Sequence, residues 1–317
     1  MDPQVEILSW AHQTLIDLGY QIKFTAQLIK DVPWSTIYCF DTSKGRVFLK
    51  TMAKPFAIEP TLLAFLSKNV SPHVPHVITT NLNLRCFLMK DSGLCLRDIL
   101  KSKFNEQYFC PIFQIYADIQ IGCIPFVEEL ITSGLNDWRL KNLPGLYQNL
   151  LKKEDLLSAD GLSQKEIAML KKFASVFENT CEALAACGIA ETLEHGDFHD
   201  NNVLINNETI FINDWGDACI SHPFFSFLSF FNSAKRHHQI SENDSIYKNS
   251  EKVFLNKWSA YAAQSILMKA MDAAKNIKPV VFALSFSRIF CCPQAYLYPE
   301  YKGYIADALR DFIKRNK

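Results

Sequence analysis

The sequence has no surplus of either charge: 33 basic residues stand against 33 acidic ones among 317. Nucleic-acid surfaces ordinarily carry a basic excess or stripe, so nucleic acid is not an expected partner. No uninterrupted apolar run approaches the roughly 18 residues that span a bilayer, so a membrane-spanning role is not expected either. The opening residues, Met1-Asp2-Pro3-Gln4-Val5-Glu6, are acidic where a secretory leader would be basic. Ten cysteines are present, yet none pair as Cys-x-x-Cys, and most sit in apolar surroundings such as Tyr38-Cys39-Phe40. They read as reduced core thiols, and the protein as soluble and cytoplasmic.

What is present is ordinary globular composition, 49% apolar and 21% charged, at a length that suits two domains or two lobes. Val5, Leu8, Ala11, Leu15 and Leu18 recur at helical spacing, and Gly19 is a stop. The period then changes. Thr36–Phe40 and Arg46–Lys50, separated by Asp41-Thr42-Ser43-Lys44-Gly45, read as an antiparallel hairpin. A short helix over Ile58–Ser67 and two more strands, His76–Thr80 and Arg85–Met89, follow.

Beyond residue 91 the pattern is mostly helical. The clearest helix runs from Ser163 to Cys187, opened by the capping box Ser163-x-x-Glu166. Lys141–Asp160 reads as a polar surface excursion, and the run Phe224–Phe231 as core. The expected class is α+β: residues 1–91 a small antiparallel β-sheet, residues 92–317 a larger helical part.

Residues 191–221 hold seven carboxylates and no Lys or Arg, a local surplus that demands compensating cations. They include His195-Gly196-Asp197-Phe198-His199-Asp200-Asn201-Asn202, an apolar hairpin over Val203–Ile212, and Asn213-Asp214-Trp215-Gly216-Asp217. Phosphoryl transfer needs one carboxylate to take a proton from the attacking hydroxyl, and a carboxylate with an amide oxygen to hold magnesium. Asp197 suits the base. Asn202, five residues on, and Asp214, on the returning strand, suit Mg2+, which prefers hard oxygen ligands.

His195-Gly196-Asp197-x-His199-x-x-Asn202 followed by Ile212-x-Asp214-Trp215 resembles the aminoglycoside phosphotransferase family of protein-kinase-like small-molecule kinases, which includes choline kinases. The resemblance implies a two-lobed kinase-like fold with residues 1–91 as the nucleotide-binding lobe. It implies ATP and Mg2+ as cofactors and a small-molecule hydroxyl as acceptor. By the same resemblance Lys50 is the lysine that binds the α- and β-phosphates, Glu59 is its partner, and Met89 to Asp91 form the hinge that meets adenine. Leu94–Leu100, with Arg97, is similar to the helix after that hinge.

Two positions depart from the family pattern. The turn Lys30–Thr36 holds no glycine to let backbone amides approach phosphate, so phosphate contact falls to Ser35 and Thr36. Asp200-Asn201 stands where relatives often carry Pro-Gly. Two rival readings remain: a non-catalytic nucleotide-binding pseudokinase, and a zinc hydrolase using His195, Asp197 and His199. The acidic surplus, with Glu194, Asp200 and Asp217 as its candidates, fits either a cationic acceptor such as an aminoglycoside or amino alcohol or, equally, a solvated acidic face. Trp138, Trp258, Tyr296, Tyr298 and Tyr301 fit an aromatic wall for such a cation or, equally well, core packing. A monomer and a homodimer are equally compatible with the sequence.

Overall fold

The computed structural model describes residues 3–317, apart from the side chains of Pro293 and Tyr296. Met1 and Asp2, and the Tyr296 ring named above, therefore lie outside the described residues. The chain forms two compact units. The first comprises the chain up to Leu94, Leu204–Gly216 and Ile289–Ala295; the second comprises Cys95–Val203, Asp217–Arg288 and Tyr296–Lys317.

The first unit is built on a five-stranded antiparallel sheet ordered β1-β2-β3-β5-β4. Its strands are β1 (Gln27–Val32), β2 (Ser35–Thr42), β3 (Gly45–Met52), β4 (Val77–Asn81) and β5 (Cys86–Lys90). The expected hairpin is β2–β3, with Thr42 opposite Gly45, whose φ of +96° closes the turn without steric cost. Strand β1 lies at the edge and is largely exposed, while Cys86–Met89 of β5 are buried on both faces. Helix α1 (Pro3–Asp17) sets Ala11 and Leu15 against Tyr38, Phe40, Val47, Leu49 and Leu88. Helix α2 (Glu59–Asn69) buries Leu62, Leu63 and Leu66.

The second unit is helical: α3 (Leu96–Ser102), α4 (Phe109–Cys123), α5 (Val127–Thr132), α6 (Leu143–Leu151), α7 (Glu154–Asp160), α8 (Gln164–Lys172), α9 (Ala174–Ala185), α10 (Phe225–His238), α11 (Ser245–Lys257), α12 (Gln264–Phe286) and α13 (Tyr304–Arg315). Its centre is aromatic. Phe113 packs on Phe227 at 4.7 Å, Phe230 at 5.0 Å and Phe231 at 5.3 Å, and Tyr116 stacks on Phe198 at 4.3 Å. The run after Phe224 is core, as expected.

Three expectations need correction. The helix over Ser163–Cys187 is two helices, α8 and α9, meeting at Phe173. The capping box forms, but Phe173 turns out of helical geometry (ψ 5°) and its ring meets Phe312 of α13, so tertiary packing overrides local continuity. Lys141–Asp160 is not a surface excursion: α6 and α7 bury Leu143, Tyr147, Leu150, Leu151, Leu156 and Leu157. These apolar residues recur at helical spacing between polar ones. Finally, the segment Glu106–Thr132 is long and apolar enough to cross a membrane by length and composition. In the structure it contains α4, whose Phe109, Ile112, Phe113, Tyr116 and Ile119 are core residues.

Candidate active site

The first unit assembles one group of the anticipated residues. Lys50, near the end of β3, places Nζ 2.9 Å from Glu59 Oε1, 2.6 Å from Glu59 Oε2 and 2.6 Å from Asp214 Oδ1. Lys50 and Glu59 are buried, whereas the Asp214 side chain is about one-third exposed. The alternation of β3 turns Lys50 inward, opposite Phe87 of β5. Glu59 opens α2, where a carboxylate also faces the positive end of the helix.

Burial works to neutralise Lys50, but Asp214 and Glu59 outweigh it and hold the ammonium charged well above its ordinary range. Burial, with Asp214 nearby, pushes Glu59 up to about 7 despite Lys50. Asp214 follows the hairpin formed by strands Val203–Asn206 and Thr209–Ile212 and has φ +64°. That left-handed backbone in a non-glycine residue is strain of the kind found at functional sites.

The glycine-free turn between β1 and β2 pairs Val32 with Ser35. The Thr36 hydroxyl donates to Asp31 Oδ1 at 2.9 Å, so it does not project as a lone phosphate donor. Ser35 Oγ is enclosed and has no hydrogen-bond partner among the described residues. At the expected hinge Met89 is buried, and the Lys90 and Asp91 amides donate to the His76 and Arg46 carbonyls at 3.0 and 3.2 Å. The Asp91 carboxylate is held by Arg46 at 2.6 Å. These two hinge amides are therefore engaged within the unit.

The second unit holds the other group. Gly196 has φ +80°, and a Cβ there would lie 2.3 Å from the Asp217 carbonyl oxygen, so glycine is required. Asp197 is partly exposed, with Oδ2 3.3 Å from His199 Nε2. Burial opposes charge on His199, but the Asp197 carboxylate raises its pKa. Asn202 donates Nδ2 to the Asp197 carbonyl at 2.9 Å. With its nitrogen so used, Asn202 keeps its oxygen as the atom a hard cation would take. His195 is fully buried; its Nδ1 accepts from the Asp197 amide at 3.3 Å, a structural role. His195, Asp197 and His199 do not form a three-ligand metal set: no such group occurs among the described residues.

The three carboxylates expected to face a cation are instead engaged within the second unit. Asp200 is fully buried, paired with Arg97 and hydrogen-bonded by Ser233 and His238. Asp217 meets Arg288 at 3.3 Å. Glu194 is buried against Ser226, Tyr116 and Gln120. None of the three forms a free field for a cation, which corrects that expectation. The Arg97–Asp200–Ser233–His238 cluster is not legible in the sequence, because its members lie on α3, the 195–202 loop and α10 with no local pattern joining them. Trp258, offered as part of a cation wall, is core packed on Phe224 at 5.9 Å.

The model of the phosphotransferase enzyme family (APH) matches residues 129–251. No curated protein matches the sequence. Among solved structures, the gentamicin complex of APH(2")-IIa is similar at TM-score 0.62 and 14% identity, over 96% of this chain and 95% of that one. Choline kinase LicA from Streptococcus pneumoniae gives 0.61 and 12%, over 96% and 98%. Macrolide 2'-phosphotransferase MphH from Brachybacterium faecium gives 0.58 and 14%, over 95% and 98%. At these identities the structural likeness is one of fold, and the α+β class with a kinase-like fold is borne out. The resemblance read from the sequence motif is likewise borne out, and together these matches support a small-molecule kinase.

Proposed function

We propose that this protein moves the γ-phosphate of ATP to a hydroxyl group of a small molecule. The observation that carries the reading is the ion triad of buried Lys50 and Glu59 with the partly exposed Asp214, in which residues up to 164 positions apart converge inside one unit. Burying the Lys50 and Glu59 charges is costly unless they serve each other or a ligand, and a cation held by two carboxylates suits polyphosphate.

In this reading Lys50 pairs with the α- and β-phosphates and Glu59 holds its ammonium in place. Ser35 and Thr36 border the phosphates, and Met89 to Asp91 border adenine. Asp197 accepts the acceptor's hydroxyl proton while the new O–P bond forms and the bond from γ-phosphorus to the ADP oxygen breaks. Asn202 fixes the Asp197 backbone through its amide nitrogen and, with Asp214, would hold Mg2+. When bound, Mg2+ supplies neutralisation of the charge developing on the phosphates. Residues 1–91 are the nucleotide-binding part and 92–317 carry the catalytic loop and the acceptor side. The partners are a nucleotide and a small-molecule hydroxyl acceptor, with neither nucleic acid nor membrane required, and the setting is a cytoplasmic monomer or homodimer.

The test is Mg2+-dependent ADP release against a panel of hydroxyl acceptors, with Asp197→Asn as control. Release stimulated by one acceptor and absent in the control supports the reading. Nucleotide binding with no release above the Asp197→Asn control would instead establish a non-catalytic nucleotide-binding protein.

A further inference from the structure

His199 takes no part in the proposed transfer, yet its ring is oriented at both nitrogens. Nε2 lies 3.3 Å from Asp197 Oδ2. Nδ1 accepts a hydrogen bond from the Asn201 amide at 3.2 Å. An imidazole nitrogen that accepts carries no proton, so the Asn201 amide assigns the ring proton to Nε2, the atom that meets Asp197. Asn202 Nδ2 approaches the same carboxylate oxygen at 3.4 Å. Two donors from one loop therefore converge on Asp197 Oδ2, which fixes the plane of the carboxylate.

The backbone of this loop is held without the His199 ring. Gly196 lies against the Asp217 carbonyl. The Phe198 ring is buried and stacks on Tyr116 at 4.3 Å. The buried Asp200 is bound by Arg97, Ser233 and His238. The Asn202 amide donates to the His199 carbonyl at 2.9 Å, and its side chain to the Asp197 carbonyl at 2.9 Å. What the ring adds is local: a cap on the Asn201 amide and one hydrogen bond to Asp197. Packing alone does not fix the Asp197 carboxylate, because its side chain is 45% exposed. A general base works only when its oxygen meets the departing proton along a hydrogen-bond direction, and small misplacements cost rate.

We propose that His199 is a positioning residue for the transfer step: its Nε2 holds the Asp197 carboxylate in the orientation that receives the acceptor's hydroxyl proton. This rests on the phosphotransfer reading, in which Asp197 is the base.

The experiment compares wild type, His199→Asn, His199→Gln, Asp197→Asn and the double variant His199→Asn/Asp197→Asn, all as the full chain. Asn places an oxygen where His199 has Nδ1, so the bond from the Asn201 amide is kept while the bond to Asp197 is lost. Gln carries an amide nitrogen out to the position of Nε2 and restores a donor there. ADP release from MgATP is measured with the most effective hydroxyl acceptor of the panel, or with water where none stimulates. His199→Asn is expected to lower kcat about tenfold, the effect of losing one hydrogen bond to a charged group. Its KM for MgATP and its melting temperature should stay at the wild-type values. His199→Gln should recover most of the loss, and the double variant should be no slower than Asp197→Asn alone. Wild-type kcat in His199→Asn, a loss that Gln does not recover, or a further loss in the double variant would each overturn the proposal. Nitrogen NMR of histidine-labelled protein reads the bond without nucleotide: His199 Nε2 should carry a proton, and its signal should move in Asp197→Asn. An Nε2 without a proton overturns the proposal even where the kinase reading stands. Wild-type release no greater than that of Asp197→Asn, with the bond present by NMR, removes the kinase reading and takes the positioning role with it.

Discussion

Arg97 grips both carboxylate oxygens of Asp200, Nε to Oδ2 at 3.0 Å and Nη2 to Oδ1 at 2.8 Å. Ser233 and His238 complete the shell at 2.6 and 2.8 Å around a carboxylate with no exposed surface. Burial alone would raise this carboxyl, but Arg97, Ser233 and His238 hold it well below the usual carboxylate range. Because Asp200 lies between Asp197 and Asn202, this fork anchors the loop that carries both. Arg97→Ala leaves the charge buried and uncompensated, and is expected to destabilise the protein by about 3–5 kcal/mol. Adding Asp200→Ala should recover part of that loss in urea unfolding; purely additive effects would refute the coupling.

Asp197 and Asp214 are expected to fail differently. Asp197→Asn should lower turnover by about 10²–10⁴-fold, the usual contribution of a positioned base, while leaving nucleotide affinity at the wild-type value. Asp214→Ala should abolish Mg2+-dependent nucleotide binding in calorimetry. Two variants that bind and turn over normally would disprove the assigned site.

Lys50→Met removes the cation from Glu59, which is enclosed and already pushed up to about 7. Both stability and nucleotide affinity should fall. The double variant Lys50→Met/Glu59→Gln is expected to regain part of the stability, since no fully buried charge is left unpaired and Asp214 is partly exposed to water, but not nucleotide binding. Chemical denaturation and calorimetry read the two effects separately.

His222 gives a pH dependence with a definite sign. It is fully buried, and burial pushes it down to about 3. Its Nδ1 accepts from the Phe224 amide at 3.4 Å, and Nε2 has no hydrogen-bond partner among the described residues. The unfolded chain takes up this proton near its ordinary pKa of about 6.5, whereas the folded chain does so only near 3. Stability is therefore complete above that unfolded value and is lost as pH falls, by about 1.4 kcal/mol per pH unit through the window. His222→Phe should flatten this part of the acid limb in unfolding measured from pH 7 to 4.

Gly196→Ala forces a Cβ to within 2.3 Å of the Asp217 carbonyl oxygen at a φ of +80°. The loop must shift, and turnover should fall more than nucleotide affinity because Asp197 is the next residue. Unchanged kinetics in the variant would show that the loop's backbone course does not matter to the chemistry.

Sequence reading reaches furthest where a signal is local. The spacing Asp197–Asn202 lies within one loop, the β2–β3 hairpin is a matter of alternation and a glycine turn, and the capping box spans four residues. Reading fails where the deciding partner is remote. Nothing within residues 163–187 announces the break at Phe173, whose ring meets Phe312 more than a hundred positions on. In Lys141–Asp160 the charges mislead, and the leucines at helical spacing are the stronger signal.

By its own pattern the sequence determined the α+β class, the β2–β3 hairpin and the carboxylate–amide motif, because propensity, periodicity and spacing act over a few residues. Only tertiary structure decided the charge state of the buried groups. It neutralised the acidic surplus with Lys50, Arg97 and Arg288, drawn from distant segments. Desolvation and ion pairing depend on what surrounds a group in space, and no stretch of neighbouring residues encodes that alone.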